Sequence, residues 1–191
     1  MDEYETIKNV IVENFNILKE KANNAVTKKY GTRCSGIGCL YPNIYKKICK
    51  SDYGRFIKNI DELDTYVIYE FDERNIPLRI QKIRKNICTE SIYWYHDTNM
   101  IVAACFIGDT EKFMIGADIF KFIFEEARLC EFSFIGSGRK VEYIFNYYNY
   151  PHIKLVEKDI NYFNKDEPLI KKYEYGYDEL PNGRVCNIVQ Y

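Results

Sequence analysis

Hydrophobic residues recur over the first thirty positions at the spacing of a helix. Ile7, Ile11, Phe15, Leu18, Ala22 and Ala25 follow at intervals of three and four, while Glu3, Lys8, Glu13, Lys19 and Lys28 fall largely off that stripe. The pattern predicts an amphipathic helix from residue 3 to 29, with Asp2 able to cap its start and Gly31 placed where it should stop. The glycine-rich stretch GTRCSGIGCLYPN reads as a loop. A short second helix is expected at 43–49, where Ile44 and Ile48 stand four apart, and 52–64 reads as the connection into a sheet.

From Tyr66 the period shortens to two and the sequence becomes aromatic. YVIYEFDERNIPLRIQKI (66–83), SIYWYHDTNMIVAACFI (91–107), DIFKFIFEEARLCEFSFI (118–135), YIFNYYNYPHIKLVEK (143–158) and KKYEYGYDELPNGRVCNIVQY (171–191) share one form. Each is a strand, a short polar turn and a second strand, with DERN, HDTN, EEAR and PNG as turn signals. One segment fits two periods. Asp118, Lys121, Glu125 and Arg128 line up at helical spacing, whereas alternating Phe120, Phe122 and Phe124 favour strand. The fold class that follows is α+β: an N-terminal helix, plus a short second one, packed on a large antiparallel β-meander. One domain, 1–191, is expected, with a helical and loop segment at 1–60 and the hairpin sheet at 61–191.

Composition narrows the class. A chain of 191 residues with 47% hydrophobic content can bury one good core. No apolar run approaches the ~18 residues that span a bilayer, and Met100 to Gly108 is far too short. MDEYETIKNV lacks the basic start of a secretory signal. The seven cysteines read as reduced thiols, with Cys105, Cys130 and Cys186 packing among strand residues, so a cytoplasmic location is expected. Residues 1–60 hold 11 Lys and Arg against 6 Asp and Glu, and residues 61–191 hold 16 against 22. The acidic second part favours a basic partner and disfavours nucleic acid.

Candidate chemistry is sparse. The sequence contains no G-x-S-x-G, H-E-x-x-H or Walker-type motif. His96 and His152 fall at or beside predicted turns and read as solvated. Cys34, Cys39 and Cys49 are too widely spaced for a zinc site and lack a nearby fourth ligand, so no metal or cofactor is expected. Gly136-Ser137-Gly138-Arg139-Lys140 could cradle a phosphate, but a plain turn explains it as well. Eighteen Tyr and 12 Phe supply the sheet, and tyrosine also serves well in binding surfaces. If every unit is a hairpin, the turns gather Asp72, Glu73, Asp97, Glu125, Glu126, Asp178 and Glu179, with Tyr148 and Tyr150, into a rim suited to a basic protein.

With a helical opening, aromatic hairpins such as YVIYEFDERNIPLRI and no catalytic signature, the chain resembles the immunity proteins that bacteria pair with polymorphic or contact-dependent toxins. The resemblance implies a non-enzymatic protein that binds and neutralises a cognate toxin, such as a nuclease with a basic face, without contact to nucleic acid or membrane. A second outline is also open. IGADIFKFIFEEARLCEFSFI (115–135) and the segment after it are similar to the helix–strand end of GNAT acetyltransferases. That would imply acetyl-CoA binding around 113–163, although Phe113-Met114-Ile115-Gly116-Ala117 lacks the basic residue and first glycine of that family's pyrophosphate loop.

Overall fold

A computed structural model describes residues 3–32, 56–108, 112–126, 128–148, 152–161, 167–181 and 185–191. Asp2, the loop and helix expected between 33 and 49, Cys34, Cys39, Cys49, Tyr150 and the tip of the PNG turn lie outside the described residues. The described chain contains two short helices and thirteen strands and divides into two compact units, residues 1–36 with 53–119 and residues 37–52 with 120–191. No helix among the described residues is long and apolar enough to cross a membrane.

The single helix expected over 3–29 is instead α1 (Glu3–Glu13), α2 (Phe15–Asn23) and a strand, β1 (Thr27–Gly31). The break falls at Asn14, whose side-chain amide donates to the Val10 carbonyl at 2.8 Å and competes with the helical ladder there. The hydrophobic stripe runs through the break, so Ile11 (α1), Leu18 and Ala22 (α2) are all buried. Asn23 and Asn24 then end the helix. Beyond them Lys28 and Tyr30 share one face of β1 and Lys29 and Gly31 the other, in antiparallel register with β3 (Thr65–Phe71). Gly31 is therefore a strand residue, with the Tyr69 ring where its Cβ would stand.

In the first unit the strand order is β6-β5-β4-β3-β1-β2, with β2 (Phe56–Ile57), β4 (Pro77–Arg84), β5 (Ile87–His96) and β6 (Met100–Ile107), and short β7 (Lys112–Phe113) pairs with β6. All its pairings are antiparallel. Local chemistry sets the turns. Lys85 and Asn86 both adopt positive φ (49° and 63°), as a tight two-residue hairpin requires. The longer β3–β4 turn is held by Asp72, whose Oδ1 accepts the Arg74 and Ile76 N–H groups at 2.9 and 2.8 Å.

The helices cover one face of this sheet. Phe15 meets Tyr93 edge-on at 5.0 Å and stacks on Phe106 at 4.5 Å. Glu70, on the same face, is completely buried and contacts Lys28 at 2.8 Å and Arg79 at 2.5 Å. Arg79 also donates to Asn23 Oδ1 of α2 and to the Tyr93 hydroxyl. This charge network ties α2 to β3, β4 and β5.

The second unit is a meander of β8 (Ile119–Glu125), β9 (Arg128–Ile135), β10 (Arg139–Tyr148), β11 (His152–Asn161), β12 (Leu169–Glu179) and β13 (Val185–Gln190) in chain order. Residues 119–125 are strand, which resolves the two-period segment in favour of the alternating phenylalanines. Phe122 stacks on Phe132 and Phe132 on Tyr143, at 4.9 and 5.6 Å, on a face that also buries Phe145 and Leu155. Glu142–Lys158 and Lys154–Glu174 cross between strands on the opposite face.

Candidate functional site

The expected rim residues fall into two sets, one in each unit. In the first unit the β3–β4 and β5–β6 turns share an end of the meander, which brings Asp72, Glu73 and Asp97 to that end. Not all of these acids face outward. Asp72 is spent on its own turn, and its Oδ2 pairs with Arg74 at 3.4 Å. Burial alone would raise the Asp72 pKa, but the Ile76 and Arg74 N–H groups and the guanidinium together hold it below the ordinary carboxylate value. Asp97 Oδ1 accepts the Thr98 N–H at 2.7 Å. Glu73 is exposed.

In the second unit Glu125 and Glu126 occupy the β8–β9 turn, and Glu126 takes a positive φ of 48°. Tyr148 ends β10, and Asp178 and Glu179 close β12, so alternation of the strands brings them to the same end as Glu125. Asp178 accepts the Asn187 side-chain amide at 2.6 Å. Beside Glu125 and Glu126 lies an open hollow of about 690 Å³, lined also by Arg128, Cys130, Glu131 and Tyr147. Arg128 lies over the Tyr147 ring. Burial pushes the Cys130 pKa up, so it is kept as a neutral thiol and not a thiolate.

The better-formed site is a groove of about 760 Å³ in the first unit, between α2 and the β3–β4 turn. Its apolar lining includes Ile17, Val26, Leu78 and Trp94, and Glu20, Lys21, Glu73 and Arg74 supply the charges. Ile17 and Val26 are 52% and 71% exposed, unusual for aliphatic side chains lining a concave surface. Of the expected residues, Asp72 and Glu73 belong to this groove. Sequence reasoning missed Ile17, Val26 and Trp94. Ile17 carried a usable signal, because it is an aliphatic residue of the helix standing out of phase with the buried stripe.

His96 also lines the groove and corrects an expectation. It is not a solvated turn histidine but the last residue of β5, half-buried, with Nε2 2.8 Å from the Pro77 carbonyl. Burial lowers its pKa, against the Pro77 carbonyl and Asp72, while Lys21 and Arg74 reinforce the lowering. Elsewhere, the phosphate-cradle residues are committed internally: Arg139 pairs with Asp159, and Lys140 is buried against Glu142 at 2.6 Å. Strands β8 and β9 occupy 119–135, where the acyltransferase outline needs a helix opening from 113–117. No group of three or more His, Cys, Asp or Glu among the described residues could hold a metal ion. Compared with known proteins, the chain matches no family model, no curated protein and no solved structure.

Proposed function

We propose that this chain is a binding protein that neutralises a bacterial toxin by direct contact, as an immunity protein does, and that the groove beside α2 is where the toxin docks. The observation that carries the reading is an apolar groove left open to solvent. Ile17 and Val26 are exposed within it, and Glu20 and Glu73 stand at its margin. Large solvent-facing aliphatic side chains in a concavity are what a partner's anchor residue fills. The margin carries Glu20, Asp72 and Glu73 against Lys21 and Arg74, a small acidic excess that a partner's lysine or arginine beside that anchor would meet. The acidic balance after residue 60 draws a basic toxin from a distance, and a nuclease with a phosphate-binding face has that character.

The test is co-expression with any toxin domain found to be encoded beside this chain, scored by cell survival and by binding of the purified pair. Survival should depend on this chain. Ile17→Asp should abolish tight binding while leaving thermal unfolding near wild type, because Ile17 is already half in water. Glu20→Lys with Glu73→Lys should slow association and reduce its salt dependence, with a smaller effect on dissociation. Full protection by the Ile17→Asp protein would move the docking site elsewhere. Failure of the wild type to protect would overturn the functional reading itself.

A further inference from the structure

The groove beside α2 holds a charge balance that one proton cancels. From α2 it takes Glu20 and Lys21, and from the β3–β4 turn Asp72, Glu73 and Arg74. Three acids therefore face two cations, an excess of a single negative charge. Burial works against the Asp72 carboxylate, but the Ile76 and Arg74 N–H groups and the guanidinium hold its pKa below the ordinary value, so it stays charged into acid.

His96 is the histidine set among these charges. Its ring lines the same groove, half-buried, at the end of β5. From its own strand the phenol of Tyr95 lines the groove too, and Asp97, next in the chain, accepts the Thr98 N–H. His96 Nε2 lies 2.8 Å from the Pro77 carbonyl, which can only accept. The neutral ring therefore carries its hydrogen on Nε2, and Nδ1 is the atom that takes a second proton. That proton adds one positive charge to the lining and removes the acidic excess.

We infer that the groove releases a basic partner in acid, when His96 takes up a proton, an inference that rests on the docking proposed above. Docking covers the half-buried ring further and brings a lysine or arginine near it, and both changes disfavour the imidazolium. The linkage is reciprocal. A partner that lowers the proton affinity of His96 is bound less tightly by the protonated form, and by the same factor. In the free chain burial already lowers the His96 pKa, opposed by the Pro77 carbonyl and Asp72 and assisted by Lys21 and Arg74. Partner affinity should therefore be flat above about pH 6.5 and fall below it.

The experiment titrates the full chain with a capped lysine-leucine-lysine peptide, an apolar anchor between two cations, at up to about 10 mM. Binding is followed by the NMR shifts of the Ile17 and Val26 methyl groups, from about pH 7.5 to about pH 5. The wild type should bind the peptide at the upper pH and at least about threefold more weakly at the lower. The ring shifts of His96 give its protonation midpoint, which the peptide should lower. His96→Gln keeps an amide able to donate to the Pro77 carbonyl but takes up no proton, so its affinity should hardly change with pH. Methyl groups unmoved by the peptide at the upper pH overturn the docking reading of the groove, and this inference with it. Binding by the wild type that is equal at both ends of the range overturns the switch alone. So does a loss in acid that His96→Gln retains in full.

Discussion

Replacing Glu70 with Gln removes one negative charge from a site that water does not reach. The carboxylate is completely buried, and its two cations are unequal: the Arg79 side chain is 11% exposed and the Lys28 side chain 52%. Lys28 lies 2.8 Å from Oε1 without hydrogen-bond alignment, so it offsets charge but satisfies that oxygen poorly. A pair with one partner that exposed contributes at most about 1 kcal/mol. Arg79 decides the magnitude. Stripped of its counter-ion it stays buried beneath α2, a situation that costs about 3–5 kcal/mol. Glu70→Gln should therefore lower stability by about 3 kcal/mol or more, and Lys28→Ala by less than about 1 kcal/mol. Glu70→Leu combined with Arg79→Met removes both charges and should recover much of the loss. Urea denaturation with an unchanged slope measures each difference. The reasoning is refuted if Glu70→Gln lies within about 1 kcal/mol of wild type, or if the apolar double variant is no more stable than the single one.

Gly31→Ala would place a Cβ 2.7 Å from the Tyr69 ring, which also meets Phe56 and Phe71. It should cost about 1–3 kcal/mol in denaturant unfolding, and a neutral result would mean that the ring swings aside freely. His96 gives a pH signature: its folded pKa lies below the unfolded value of about 6.5. Between those values the unfolded chain holds more protons, so stability should fall as pH drops through 6.5 toward the folded value. His96→Gln should flatten that slope, and a slope identical to wild type would assign it to other groups.

The hairpins were legible because turn chemistry and strand alternation agreed. DERN closes through an aspartate that caps its own turn and an asparagine at φ 59°, and the flanking residues alternate across the sheet. The phenylalanines at 120 and 122 likewise outweighed the helical spacing of the charges around them, since their rings pack against strand neighbours. The N-terminal helix was over-extended for the opposite reason. Burial of Ile11, Leu18 and Ala22 gives a continuous stripe whether or not the backbone is continuous, so the apolar period carries no mark of the interruption at Asn14. After Asn24 the deciding partner was β3, forty residues away in sequence, and local propensity does not encode that pairing.

The site was legible only in part, and the reason lies in what a charge pattern records. Sequence gives the number of acids at a turn but not the hydrogen bonds that each carboxylate accepts. Asp72, Asp97 and Asp178 are short side chains next to backbone or side-chain amides, and each accepts a local donor, but only Asp72 is partly covered while Asp97 and Asp178 stay exposed. Glu20, Glu73 and Glu125 are longer by a methylene, stand on a helix face or at strand ends, and remain exposed. A rim counted in acids therefore overstates its outward negative charge at Asp72, which is spent on its own turn and on Arg74. What marks the proposed docking surface more sharply is an aliphatic residue that the fold leaves largely uncovered. Ile17 sits one position before buried Leu18 and cannot share its face of α2. Val26 lies in the bend between α2 and β1, with its N–H donated to the Phe71 carbonyl. Such side chains cost solubility and contribute little to the core, and their grouping in one concavity is what supports the proposed docking of a partner there.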